Sequence, residues 1–143
     1  MARYAVKQVA WQECAEILRA IRYSVFVEEQ HVPVAEEWDG RDEAALHVLA
    51  LATYDTPVGT ARLLDSGQIG RMAVLREYRR QGIGSAMMNQ LLRIATAKNM
   101  NNLFLNAQID AVEFYRRHGF IETGTTFMEA GIVHRKMVLP PAK

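Results

Sequence analysis

The sequence holds a single cysteine, Cys14, so no disulfide within the chain can staple its fold. No apolar run approaches the roughly 20 residues that a membrane-spanning helix needs. The opening stretch "MARYAVKQVAWQECAEI" likewise lacks the apolar centre of a secretory signal. Net charge is nearly absent: 17 basic and 16 acidic residues leave +1, so no overall field draws the chain to nucleic acid or membrane. Any anion site must be local. The histidines, His31, His47, His118 and His134, are dispersed, with no His-x-x-x-His and no cysteine pair, which argues against a metal site. Repeats, low-complexity tracts and linkers are missing as well. These absences predict a cytosolic protein whose residues 1–143 form one domain. With 50% hydrophobic residues, a chain of this length can bury a core unaided.

What is present reads as alternating elements. "RYAVKQV" (3–9) alternates like a strand, and "WQECAEILRAIRYSVFVEEQ" (11–30) places Ile17, Leu18, Ile21 and Val25 at helical spacing. Residues 31–44, "HVPVAEEWDGRDEA", read as a loop. "ALHVLALATY" (45–54) is apolar nearly throughout, as an interior strand is, and "DTPVG" turns the chain into the strand "VGTARLLD" (58–65). After a second turn comes the strand "QIGRMAV" (68–74). Ile83, Ala86, Met87, Leu91, Ile94 and Ala95 then trace a helical stripe. "NNLFLNA" (101–107) is a strand, "DAVEFYRRHGF" (110–120) a short helix ending at a glycine, and "GIVHRKMVL" (131–139) a last strand. The order β-α-β-β-β-α-β-α-β predicts an α/β sheet with antiparallel hairpins first and a β-α-β crossover later.

The most informative stretch is "YRRQGIGSAMMNQLL" (78–92), a basic turn bearing Gly82 and Gly84 at the mouth of a helix. Helix N-termini expose unpaired N–H groups and partial positive charge, which suits an anion. The glycines permit close backbone approach, and Arg79 and Arg80 add charged donors. The turn is not a P-loop, because no Gly-Lys-Ser/Thr follows. It is not a dinucleotide fingerprint either, because Met87 stands where the third glycine would fall. Taken by itself, the loop is equally a glycine-rich turn with two solvated arginines.

Its context is more specific. Arg79-x-x-Gly82-x-Gly84, preceded by "IGRMAV", resembles the acetyl-CoA-binding motif of the GNAT (GCN5-related N-acetyltransferase) superfamily. "QIDAVEFYRRHGF" is similar to that superfamily's second motif through Ala111, Phe114-Tyr115 and Gly119-Phe120. Gln108 departs from it, since many members carry asparagine there. The likeness runs through residues 45–138 in order and spacing. "RYSVFVEEQHVP", "EEWDGRDEAALH", "VGTARL" and "GIVHRKM" resemble the ElaA-like subgroup. The Arg22–Phe26 segment and the Trp38/Asp39/Asp42 loop share a fainter likeness with acyl-homoserine-lactone synthases.

The resemblance implies a GNAT-type acyl-CoA N-acyltransferase fold, a mixed central sheet with two splayed strands flanked by helices. It implies acetyl-CoA as co-substrate, no metal, and transfer of the acetyl group to a primary amine of a small molecule or peptide. By this carry-over the backbone of Met72, Ala73 and Val74 binds the acyl and pantetheine groups. Arg79, Arg80, Gln81, Gly82, Ile83, Gly84 and Ser85 form the pyrophosphate cradle, mostly through N–H groups. Gln108 and Phe114 belong to the same binding site, and Tyr115 stands near the sulfur as the acid that protonates the departing thiolate. A homodimer is implied too.

An amine of ordinary pKa near 10.4 is neutral in only about one part in ~2,500 at pH 7, so a base should help. His47 and His134 match the subgroup pattern and are candidates, as are the acidic pairs Glu28/Glu29 and Glu36/Glu37. The bland alternative for each histidine is a satisfied core residue, and for Tyr115 a core aromatic beside Phe114. Arg62 and Arg71 read first as ion-pair partners of Asp39, Asp42 or Glu43, and second as contacts for an acidic group on the acceptor. Period-two alternation puts residues 69, 71 and 73 on one face of their strand. Cys14 reads as a packed thiol. Ser85 has no histidine beside it in sequence, which favours a phosphate contact over a catalytic triad. Residues 22–43 and the last strand should build the acceptor pocket. Two classes stay open at this point: an N-acetyltransferase, and a non-catalytic acyl-CoA-binding or regulatory domain. An acyl-homoserine-lactone-synthase-like acyltransferase is a lesser alternative.

Overall fold

A computed structural model describes residues 4–141. Among these residues the strands are β1 (Tyr4–Val9), β2 (Leu46–Ala52), β3 (Thr56–Leu63), β4 (Gln68–Val74), β5 (Phe104–Gln108), β6 (Ile121–Glu129) and β7 (Ile132–Val138). They form one sheet in the order β1-β2-β3-β4-β5-β7-β6, antiparallel except for the β4–β5 pair. The helices are α1 (Trp11–Arg22), α2 (Val34–Glu37), α3 (Ile83–Ala97) and α4 (Val112–Arg116).

Helices cover both faces, which is why β2 is apolar along nearly its whole length. Val48 and Ala50 face α3, where Ile83, Met87, Met88, Leu91 and Ala95 form the buried stripe expected from the 3.6-residue period. Leu49 faces the other way, against Trp11, Leu18, Ile21 and Val25. Leu18 and Leu91 are fully buried, and truncating either to alanine should cost about 2–5 kcal/mol.

Three expectations need correction. The first is β6, a strand absent from the expected order β-α-β-β-β-α-β-α-β. Its residues, "IETGTTFME", lie at the sheet edge, mostly exposed, and carry no apolar alternation to betray a strand. A kink at Gly124, with φ of 75°, shifts the pairing with β7 between Thr123 and Thr126. The second is the loop over 31–44, which contains the one-turn helix α2 after Pro33.

The third concerns alternation in β4. Arg71 has φ of 49°, and the pairing with β3 slips between Thr60 and Arg62. This bulge inserts one residue and reverses the side-chain phase. Ile69 faces the α3 side, but Ala73 faces α1, while Met72 and Val74 pack toward α3. Residues 69, 71 and 73 therefore do not share a face.

The segment predicted as one helix over 11–30 is continuous but changes register. Tyr23–Glu29 is π-helical, with Gln30 N–H donating to the Val25 carbonyl at 3.1 Å. The wider turn buries Val25 and Phe26 against the sheet.

Candidate active site

β4 and β5 pair only at Gln68–Phe104 and Ile69–Leu105, and then diverge. The bulge at Arg71 begins where the pairing ends, and it bends β4 away from its neighbour. Leu75 N–H donates to Val58 O at 2.9 Å, so at this end of β4 the polar backbone of odd-numbered residues turns toward β3. Val74, and Met72 two residues earlier, turn theirs toward the gap. Ala73, by contrast, pairs with Thr60 on the far side.

The gap opens into a cavity of about 1110 Å³. One end of it is built by the glycine loop. Gly82, at φ of 84°, opens α3, and no side chain among the described residues caps the helix. The first closing bond is Ala86 N–H to Gly82 O at 3.0 Å, which leaves the amides of Ile83, Gly84 and Ser85 free. No acid lies in that first turn. A β-carbon on Gly84 would sit 3.3 Å from the Phe114 ring, so a larger residue here would press on that ring. Arg80, Gln81 and Gly82 are exposed, and Arg80 has φ of 64°.

Tyr115 and Phe114 meet edge to face at 5.1 Å and both line the cavity. Burial pushes the Tyr115 phenol up to about 12, so it stays protonated throughout the neutral range. Ser85 Oγ lies 3.0 Å from His118 Nε2, a pairing invisible in sequence because 33 residues separate the two. His118 in turn packs on Phe114, and burial followed by the charge of Arg117 lowers its pKa. Gln108 at the end of β5 donates to the Gln30 side-chain oxygen at 2.7 Å, spanning the gap from its β5 side to the π-helix.

The other end is built of charge. Arg22 is 1% exposed and donates to Glu37 Oε2 at 2.8 Å and to Asp42 Oδ1 at 2.7 Å. Its guanidinium lies over the rings of Trp11 and Trp38. Arg62 holds Asp39 through two bonds of 2.9 and 2.8 Å and reaches Asp42 at 3.1 Å. Arg71 pairs with Glu37 at 3.1 Å and Asp39 at 3.2 Å. Asp39 and Asp42 are thus partners as expected, whereas Glu37 stands where the sequence suggested Glu43. Burial alone would raise Asp39 and Asp42, but hydrogen bonds and charge from these arginines outweigh it and hold both below the usual carboxylate range. For Glu37 burial wins, and its pKa is raised despite Arg71 and Arg22.

The two histidines part company. His47 is 1% exposed, its Nε2 lies 2.8 Å from the Asp42 carbonyl, and its ring packs 5.1 Å from Trp11. Burial lowers its pKa, and it is not among the residues that line the cavity. His134 does line it. Its Nδ1 is 2.7 Å from the Ile132 carbonyl, an acceptor, so in the neutral ring Nδ1 carries the proton and Nε2 is left with the lone pair. Glu129 Oε2 lies 3.7 Å from that Nε2, and Phe127 stacks on the ring. Among the acidic candidates, Glu36 and Glu37 line the charged end.

This arrangement can seat a long, anion-headed ligand. Strand-edge amides and the free N–H groups of a helix lie along one cavity, whose lining also includes Tyr115 and His134. Residues 7–140 match the model of the acetyltransferase (GNAT) domain. The chain belongs to the GNAT family. It is 36% identical to the uncharacterized N-acetyltransferase YjcF of Bacillus subtilis, over 82% of this chain and 86% of that one. Among solved structures, Escherichia coli ElaA superposes with a TM-score of 0.84 at 28% identity, covering 94% of this chain and 99% of its own. An acyl-CoA N-acyltransferase from Pseudomonas aeruginosa gives 0.81 at 28% identity, covering 97% and 99%. The protein is therefore an acyltransferase whose family uses acyl-CoA as co-substrate, and the mixed sheet with splayed strands is the GNAT fold.

Proposed function

We propose that this GNAT protein transfers an acetyl group from acetyl-CoA directly to a primary amine of a small molecule or peptide, with both substrates bound at once. The observation that carries this reading is that Tyr115 and His134 line one cavity with the free edge of β4. Met72 and Val74 turn backbone groups toward the gap, where they pair with the pantetheine arm as an added strand would. One of their N–H groups polarises the thioester carbonyl as it becomes an oxyanion. Arg80 to Ser85 cradle the pyrophosphate through loop and helix amides.

The proton accounting follows from the two side chains. The amine nitrogen attacks the thioester carbon and loses a proton to His134 Nε2. Glu129 Oε2 lies 3.7 Å from that nitrogen. The C–S bond breaks and Tyr115 gives its proton to the thiolate. With its pKa raised to about 12, the phenol stays a donor through the neutral range, so no alkaline limb near neutrality should come from its ionisation. His47 has no part in this scheme, because the Asp42 carbonyl and Trp11 hold it away from the cavity. The single cysteine supports a reducing cytosol. The open edge at β6, with Ile121 and Met128 exposed, supports pairing of two copies.

The test is kcat/KM against pH for wild type, Tyr115→Phe and His134→Gln, with acetyl-CoA and a panel of amines. His134→Gln should lose about 10²–10⁴-fold in kcat/KM, and Tyr115→Phe a similar factor in kcat with CoA affinity retained. Tight CoA binding without turnover on any amine would overturn the catalytic reading.

A further inference from the structure

Arg79 opens the glycine loop, and its charge would ordinarily be assigned to the pyrophosphate. Its guanidinium is already occupied. Nη1 and Nη2 each meet one oxygen of Glu29 at 2.6 Å, and Nε donates to the Val74 carbonyl at 2.9 Å. Each of the three nitrogens thus has a partner inside the protein, and three of the five guanidinium N–H groups are used. Both ends of the pair are held: Glu29 is the last residue of the π-helical turn, and Val74 the last residue of β4. Arg76 adds a longer contact to the same carboxylate at 3.5 Å. The Arg79 side chain therefore ties three separate pieces of chain together where β4 passes into the loop.

The bidentate fork matters physically. A planar guanidinium facing a carboxylate squarely has two parallel charged hydrogen bonds, and turning it toward a phosphate would break both. Glu29 and Arg79 are each half-buried, and turning Arg79 away would leave the carboxylate only the longer contact with Arg76. The Val74 contact fixes the end of the strand whose backbone faces the gap. The adjacent Arg80 has no such tether among the described residues and is exposed.

We infer that Glu29 and Arg79 are positioning residues, a strut that sets the glycine loop and the end of β4 for acyl-CoA, and that Arg79 is not a phosphate ligand. This rests on the acyl-CoA reading of the cavity. The two roles for Arg79 predict opposite signs for one substitution. If Arg79 were a phosphate ligand held back by Glu29, Glu29→Gln would release its charge and tighten CoA binding. If the pair is a strut, Glu29→Gln loosens the loop and weakens binding.

The experiment is calorimetric titration of CoA into wild type, Glu29→Gln, Arg79→Gln, the double variant and Arg79→Lys, at several salt concentrations. The strut predicts about tenfold weaker binding in each single variant, and a double variant no worse than the weaker single, because both break the same link. Arg79→Lys should be as weak as Arg79→Gln, since it keeps the charge but loses the fork. The salt dependence of Kd should be unchanged in Arg79→Gln, because no phosphate contact is lost. Thermal melting of each variant checks that it is folded, and Arg79→Lys, the mildest change, serves if Glu29→Gln does not fold. Tighter CoA binding by Glu29→Gln, or normal binding by Arg79→Lys, would overturn the inference while leaving the acyl-CoA reading intact. Failure of the wild type to bind CoA would take both down.

Discussion

The two ends of the cavity are made of different material. At the glycine loop the working groups are backbone amides, set by Gly82 and Gly84 and by the helix they open. At the other end they are side-chain charges: Arg62, Arg71, Glu37 and Asp39 line the cavity, and Arg22 and Asp42 back them from within, all gathered from α1, the α2 region, β3 and β4. The first end borrows its charge from peptide dipoles, and no acid lies in the first turn of α3 to neutralise it. The second balances three cations against three anions, so it contributes shape and fixed dipoles more than net field. A backbone site tolerates changes of side-chain charge but not of side-chain bulk. A buried ionic lattice behaves the opposite way.

The hardest break of this contrast is Arg22→Leu. It leaves the buried Glu37 and Asp42 short of their shared partner, and should destabilise the protein by about 3–5 kcal/mol, read as a fall in Tm or in the denaturant midpoint. A fall under about 1 kcal/mol would mean that the lattice relaxes freely and is not the rigid end described. At the loop, Gly84→Val brings methyl groups onto a ring already 3.3 Å from a β-carbon. It should weaken CoA binding by about tenfold or more while costing only about 1–3 kcal/mol of stability. Full CoA affinity in that variant would show that α4 yields and that backbone approach is not the controlling feature.

A pH series separates the ends more finely. His47, at the charged end, has its pKa lowered by burial. As pH falls through the ordinary histidine range near ~6.5, the unfolded chain takes up a proton that the folded chain resists, so stability is present above that range and lost below it. His47→Gln should remove part of that loss, measured as unfolding free energy at about pH 7.5 and 5.5. His118 is depressed in the same sense at the loop end, and should retain the remainder. An unchanged slope in His47→Gln would place the proton uptake elsewhere. The smallest effect is expected for Arg80→Ala. Its side chain is exposed, so loss of its charge should change CoA affinity by no more than about threefold, and less in high salt. A loss as large as that of Gly84→Val would show that charge, not backbone, holds the anion.

The loop end was legible in sequence because its chemistry is local. Gly82, Gly84, the helix stripe from Ile83 onward and the "EFYRRHGF" segment lie within short runs whose spacing carries the geometry. The charged end was only half legible. Asp39 and Asp42 could be named as partners for arginines, but Glu37, on an unrecognised one-turn helix, could not. The histidines matched the same pattern equally well, and only folding sent His134 into the cavity and His47 behind the Asp42 carbonyl.

By itself, then, the sequence determined the alternation of helix and strand, the interior strand at 45–54 and the amide-rich turn. Periodicity and turn chemistry are properties of neighbouring residues, so these features could be read directly. The tertiary structure decided the rest. It set the phase reversal at Arg71, the edge strand β6, the Ser85–His118 contact and the fork between Glu29 and Arg79. Each depends on residues far apart in the chain or on a single left-handed dihedral. Neither leaves a period in sequence, because the energy that selects it comes from partners that meet only once the sheet has formed.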